Sequence, residues 1–419
     1  MIELPHADGI EPVPDERRTL GLLDQGVLWS SMGVRLVGVV TGAALVPTLG
    51  FWPAVAVTLA GGAIGAGLLA ASAVLGARTA LPAMALLRRS LGDRGSLVPT
   101  VLNVVQLVGW SAVETWTVAY TAHALVGRGP ALPYYLAAGA LGIALAVIGP
   151  LGVVRRVLRR LMAPLLVAAL VYLLARLVAD GVDTGLRGDG SLSTLAALDL
   201  VIAYNASWLP LAPDYTRFSL RSRDAAIGAG GGFFLGTALV FALGLLAATR
   251  VGGVDPGFPL VAVAPFALGS LAAWILVADE SEKTFANVYS AAVSAQNLVP
   301  ALSQRVAVVL VGATATLIAY QLDVPALFDF LYLLGAFFVP LFGAVLADRL
   351  RPAAPAATMA AWAAGFVVYQ WIQPTGIDAL AWLAPDPLGG GDLGASLPAF
   401  AVAFGLRLAL SPVLRSRTA

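Results

Sequence analysis

The chain reads as long apolar runs separated by short clusters of Gly, Pro and charged residues. It lacks the regular alternation of apolar and polar positions that marks elements half-exposed to water. A helix needs about 20 apolar residues to cross a hydrocarbon core ~30 Å thick. Twelve stretches reach roughly that length: 27–48, 53–76, 98–126, 131–150, 160–179, 195–213, 226–249, 262–298, 303–321, 325–347, 355–372 and 397–414. The eighth is long and polar in its middle. Turn-forming residues fill the gaps, as at Pro47 to Pro53, Gly127 to Pro133, Asp180 to Gly190, Gly252 to Pro259 and Pro385 to Gly394. The pattern predicts an all-α polytopic membrane protein of about 12 transmembrane helices.

Composition agrees. Of 419 residues, 59% are hydrophobic and 12% charged, against about a quarter charged in a soluble domain. The absence of Cys excludes disulfide frameworks and thiolate chemistry. Two histidines, His6 and His123, leave neither a metal site nor a His-based catalytic constellation to expect, so the sequence predicts no enzyme and no cofactor. Lys283 is the only lysine, which excludes the Gly-Lys-Ser/Thr phosphate loop of an ATP-driven pump.

Basic residues set the orientation. With both termini cytoplasmic, nineteen arginines lie inside: Arg17, Arg18, Arg78, Arg88, Arg89, Arg94, Arg155, Arg156, Arg159, Arg160, Arg217, Arg221, Arg223, Arg305, Arg349, Arg351, Arg407, Arg415 and Arg417. Four lie outside: Arg128, Arg176, Arg187 and Arg250. The outer loops gather acids instead, among them Asp183, Asp189, Asp378, Asp386 and Asp392. The expected location is a bacterial cytoplasmic membrane.

Spans 1–5 laid on spans 6–10 show a repeat. Spans 1 and 6 are both interrupted, by Ser30-Ser31-Met32-Gly33 and by Asn205 to Pro210. Spans 2 and 7 carry Gly61/Gly65 and Gly228/Gly232/Gly236, small-residue steps that let helices approach closely. Spans 3 and 8 carry mid-membrane carboxylates. Five helices per copy is an odd number, so the second copy enters from the opposite side, and broken segments at matching positions point to a transport site. The expected organisation is a cytoplasmic tail (1–26), a ten-helix core (27–347, with repeats at about 27–180 and 195–347) and two further helices with a short tail (348–419).

Ionisable groups at mid-bilayer are costly and mark functional candidates. They are Arg35, Glu114 and the cluster Asp279, Glu280, Glu282 and Lys283, which with the hydroxyl of Ser281 are the candidates for cation or proton coupling. Asn103, Gln106, Trp110 and Glu114 share one face of span 3 by their three- and four-residue steps. An indole beside a carboxylate suits a planar heterocycle, stacked on one and hydrogen-bonded at its edge by the other. The break of span 6 adds Asn205, Ser207 and Trp208, where freed backbone groups need partners. In span 8, Thr284 and Asn287 extend two polar faces, with Glu280 and Lys283 respectively four residues earlier. The alternative there is a loop, with the span ending at Val277.

Leu75-Gly76-Ala77-Arg78-Thr79 through Leu91-Gly92-Asp93-Arg94-Gly95, then Leu102-Asn103-Val104-Val105-Gln106-Leu107-Val108-Gly109-Trp110, resemble the second and third helices of the nucleobase–cation symporter-1 family. Asp214-Tyr215-Thr216-Arg217-Phe218 resembles the motif closing that family's sixth helix. The resemblance runs from about Asp24 to Arg349. It implies an inverted 5+5 repeat of the leucine-transporter type plus two extra helices, with substrate between spans 1, 3, 6 and 8. By position, Trp110 matches the family's stacking tryptophan, and Glu114 falls where hydantoin transporters bind substrate with a glutamine. Asn287 or Thr284 falls near the polar contact of span 8. Trp208 departs from the pattern, lying closer to Asp214 than the family's span-6 aromatic does. The run from Val277 to Ser290 looks most like the subgroup of hydroxymethylpyrimidine (thiamine precursor) transporters.

The expected function is therefore a permease importing a pyrimidine-type heterocycle by alternating access. Alternatives are a cytosine, other nucleobase, hydantoin or allantoin permease and, from another class, a membrane-embedded enzyme. The expected partners are the small-molecule substrate and the lipid bilayer, with no nucleic acid, and a monomer suffices. In sodium-coupled members the ion lies between span-1 backbone and span-8 hydroxyls, a place that here faces Arg35 and the acidic cluster with Lys283. Transport is accordingly expected not to require sodium and to be either proton-coupled or facilitative, with protons favoured over sodium as the coupling ion. The competing reading leaves Lys283 as a partner that lets an acidic helix insert.

Overall fold

Each of the twelve predicted spans falls on a helix or a helix pair of the computed structural model, which describes residues 12–148, 163–251, 264–299, 301–352, 354–375 and 392–415, with 382 and 388. Arg155, Arg156, Arg159, Arg160, Arg417, Asp378 and Asp386 lie outside the described residues. The helices are α1 (Leu22–Gly33), α2 (Leu36–Leu49), α3 (Phe51–Thr79), α4 (Ala83–Gly95), α5 (Leu97–Val126), α6 (Leu132–Ile148) and α7 (Ala163–Ala179), followed by α8 (Thr194–Ala206), α9 (Ala212–Thr216) and α10 (Ser222–Val251). The remainder are α11 (Gly269–Leu298), α12 (Gln304–Ala319), α13 (Val324–Leu350), α14 (Pro355–Ile372) and α15 (Ser396–Arg415). Four of them, α3, α5, α10 and α13, are long and apolar enough to cross a membrane alone, and the α1–α2 pair makes a fifth candidate, bent by 59° at its break.

Two parts of the sequence reading change. The stretch between spans 2 and 3, taken as a basic inner loop, contains helix α4, which buries Leu86 and Leu87. Asp214 accepts a hydrogen bond from the Ala83 amide (2.8 Å) at the first turn of α4, while Thr216 donates to the Ala73 carbonyl (2.9 Å). The Asp214-to-Phe218 motif thus pins the end of span 6 to span 2 and α4. Arg407, grouped with the inside arginines although it falls within the predicted span 397–414, is buried in α15 and paired with Asp348 of α13. It also donates to Thr358 (2.9 Å) of α14 and to Ser411 (2.8 Å), so one guanidinium joins the last three helices.

Small residues set how closely the helices around the breaks can pack. A Cβ on Gly232 of α10 would collide with the Gly26 carbonyl of α1, and one on Gly236 with the Ser30 carbonyl. Gly65 of α3 faces the Asn205 side chain in the same way. The glycine steps predicted to carry close approach do so. Overpacking a core commonly costs about 1–3 kcal/mol, and backbone atoms cannot move aside as a side-chain end can. Gly236→Ala is therefore expected to lower the melting temperature of the purified protein, whereas Gly231→Ala, with open space at its Cβ, leaves it near the parent value.

Candidate functional site

The site forms where α1 gives way to α2. Val34 and Arg35 have extended backbone, so a new helix begins at Leu36 with amides that need acceptors. The Glu280 carboxylate of α11 supplies one, taking the Leu36 amide at 2.9 Å, and its charge suits a helix N-terminus. From the same break the Arg35 side chain runs inward and is 1% exposed.

There the guanidinium makes an ion pair with Glu114 of α5. Its carbon lies 4.3 Å from the Trp110 ring centroid and 4.9 Å from that of Trp208, distances at which a cation is attracted to an aromatic face. The other Glu114 oxygen accepts from Asn287 Nδ2 of α11 at 2.8 Å. Spans 1, 3, 6 and 8 therefore meet at one carboxylate–guanidinium pair beside two indoles. Glu114, Trp110, Trp208, Asn287 and Arg35 are all buried, so this state is closed to solvent.

The polar run of α11 divides its work along one continuous helix, and the loop alternative is overturned. Lys283 is paired with Asp279 one turn earlier and lies 3.7 Å from Glu280. Ser281 donates within its own helix to the Val277 carbonyl (2.9 Å). The Glu282 side chain lies outside the described residues. The cluster is thus a fixed cation beside two buried carboxylates, adjoining the break of span 1.

The match covers residues 12–364 of the family described as permeases for cytosine/purines, uracil, thiamine and allantoin. The chain belongs to this family. Among solved structures, Mhp1, a nucleobase-cation-symport-1 family transporter in a closed conformation with bromovinylhydantoin bound, is 18% identical to the permease. Its TM-score is 0.76, over 98% of this chain and 96% of that one. A Na+-coupled sialic acid symporter in a substrate-bound outward-open state is 11% identical with TM-score 0.68, over 96% and 91% of the two chains. The Eremococcus coleocola manganese transporter is 14% identical with TM-score 0.65, over 98% and 99%. No curated protein matches the permease sequence. The fold is the leucine-transporter type implied by the family resemblance. Family and fold are those of multi-pass membrane transporters rather than of enzymes.

Not every residue singled out in the sequence of the permease reaches the Arg35–Glu114 centre. Gln106 donates to Asn103 (2.8 Å), which donates to Ser294 (3.3 Å), tying α5 to α11 beside the centre. Asn205 donates to the Val201 carbonyl (2.7 Å) and Ser207 to that of Tyr204 (2.8 Å), so both spend a donor on stabilising the broken helix. Thr284 packs against Gly142 of α6. Three residues were missed. Tyr204 and Phe330 meet the Trp110 ring edge-on, at 6.3 and 5.6 Å between centroids, and Trp29 meets Trp208 the same way at 6.0 Å. Tyr204 adjoins the predicted break and was legible in principle. Phe330 lies in a wholly apolar stretch and carried no signal.

Proposed function

We propose that the permease imports a small planar heterocycle with an amidine edge, a ring nitrogen beside an exocyclic amine. The candidate of choice is an aminopyrimidine such as hydroxymethylpyrimidine, the thiamine precursor. The observation that carries this reading is the Glu114 carboxylate holding a planar cation beside the Trp110 and Trp208 rings, here the guanidinium of Arg35. A carboxylate accepts both donors of a protonated amidine edge, whereas an imide edge, as in uracil or hydantoin, presents carbonyl oxygens that repel it. Support comes also from the family's range, which includes cytosine and thiamine, and from the planar hydantoin held by Mhp1. Thermal shifts of the purified permease against hydroxymethylpyrimidine, cytosine, uracil, hydantoin and allantoin test it. Stabilisation by the first two alone is expected, and stabilisation by uracil or hydantoin instead would sink the edge-pairing idea.

The coupling ion in this reading is the proton. Lys283 places a positive charge beside Asp279 and Glu280, so these buried acids have a partner without a bound metal. Vesicle uptake is expected to be indifferent to replacement of sodium by choline. It is also expected to respond to an imposed pH gradient in the parent protein but not in Lys283→Gln. Steep sodium dependence would defeat this. Both termini are proposed to be cytoplasmic, in a bacterial inner membrane. Single cysteines at positions 185 and 417 of this cysteine-free chain are then expected to label from opposite sides.

A further inference from the structure

A guanidinium carries five N–H donors in a planar fork. Arg35 is fully enclosed, yet its Nε and Nη1 find no hydrogen-bond partner among the described residues. Its carbon lies over two indole rings, 4.3 Å from the Trp110 centroid and 4.9 Å from that of Trp208, and it is paired with Glu114. A planar amidine-edged ligand would use those same three contacts. A side chain of the permease itself already occupies the ligand's place.

A second observation shows where that side chain can go. Glu280, 1% exposed, spends one oxygen on the Leu36 amide, the residue next to Arg35. Its other oxygen, Oε1, has no hydrogen-bond partner among the described residues. The extended backbone at Val34 and Arg35 lets the side chain turn without unwinding a helix. Two buried carboxylates therefore flank one hinge, and the guanidinium engages only the first.

We propose that Arg35 is a resident surrogate of the substrate, which fills the slot beside Trp110 and Trp208 and passes from Glu114 to Glu280 when an amidine-edged heterocycle takes its place. No carboxylate is left bare in either state, since the ligand replaces the guanidinium at Glu114 and the guanidinium fills the vacant acceptor of Glu280. Apparent affinity is lowered by the fraction of time the slot is self-occupied. Each binding event also delivers a cation to the Asp279–Glu280–Lys283 cluster, which joins substrate binding to the coupling residues. The surrogate role rests on the slot assigned under Proposed function, but not on which heterocycle is carried.

The test uses acetamidinium chloride, the smallest planar amidinium, with sodium chloride as control. In Arg35→Ala the emptied slot is expected to take acetamidinium, which raises the melting temperature of the variant and leaves the parent protein unmoved. Hydroxymethylpyrimidine is expected to bind Arg35→Ala about tenfold more tightly than the parent. If Arg35→Ala ignores acetamidinium while the parent binds hydroxymethylpyrimidine, the surrogate role is overturned and the proposed substrate stands. If Arg35→Ala responds to acetamidinium and neither protein binds the pyrimidine, the slot stands and the substrate falls. Weaker pyrimidine binding in Arg35→Ala would make Arg35 a direct ligand and also overturn the proposal. Should Arg35→Ala not fold, Glu280→Gln decides. It keeps an acceptor for the Leu36 amide but cannot receive the charge, so hydroxymethylpyrimidine is expected to bind about tenfold more weakly; parent-like affinity would refute the handover.

Discussion

Glu114→Ala is expected to destabilise the permease more than any other substitution named here. It removes the one carboxylate that pairs with Arg35 among the described residues, so that the guanidinium can reach Glu280 only by turning away from the rings beside it, and it also frees the Asn287 amide. Breaking a buried ion pair by removing one partner costs about 3–5 kcal/mol. Thermal melts of detergent-purified protein measure the loss. Replacing both partners with apolar side chains of similar size, as in Arg35→Met/Glu114→Leu, is expected to recover much of the stability while abolishing substrate binding. A Glu114→Ala variant that melts with the parent protein would show that the pair does not hold spans 1 and 3 together.

Trp110→Ala is expected to weaken hydroxymethylpyrimidine binding roughly ten- to hundredfold, since base–aromatic stacking is worth about 1–3 kcal/mol per base. The ring stands between Tyr204 and Phe330, which hold it edge-on, so its face is presented in a fixed orientation. Trp110→Phe keeps a face of smaller area and is expected to lose much less. Equilibrium binding to both variants, alongside melts that confirm folding, separates stacking from packing. Unchanged affinity in Trp110→Ala would remove the stacking role.

The membrane class and the helix-bearing segments were legible because length and apolarity alone decide them. The break of span 1, expected at Ser30 to Gly33, lies instead at Val34 and Arg35, since Ser30 to Gly33 complete the last turn of α1. The stripe Asn103, Gln106, Trp110, Glu114 was legible by helical spacing, and the structure brings its last two members to the site centre. The pairing itself was not legible. Arg35 and Glu114 are 79 positions apart, counting from the sequence numbers, and nothing local joins them. Arg35 had been assigned to the ion-coupling group with Lys283, whereas its guanidinium reaches the stacking tryptophans. Side-chain reach decided this: a long arginine at a helix break enters the protein instead of staying beside its own backbone. Arg407 misled for the same reason in reverse. Charge near a chain terminus reads as lying on the inner side, but here Asp348, Thr358 and Ser411 satisfy it inside the helix bundle. Gln106, Asn205 and Ser207 read from the sequence as substrate contacts, but the hydrogen bonds they make in the structure serve helix–helix ties and the broken backbone of span 6.

In the proposed function, Glu114 and the two indoles admit a heterocycle by its amidine edge. Uptake of radiolabelled hydroxymethylpyrimidine into vesicles containing the purified permease tests it most directly. Uptake is expected to saturate, to be competed by unlabelled cytosine but not by uracil or hydantoin, and to be lost in Glu114→Gln. Uptake competed equally by uracil, or retained in Glu114→Gln, would contradict it.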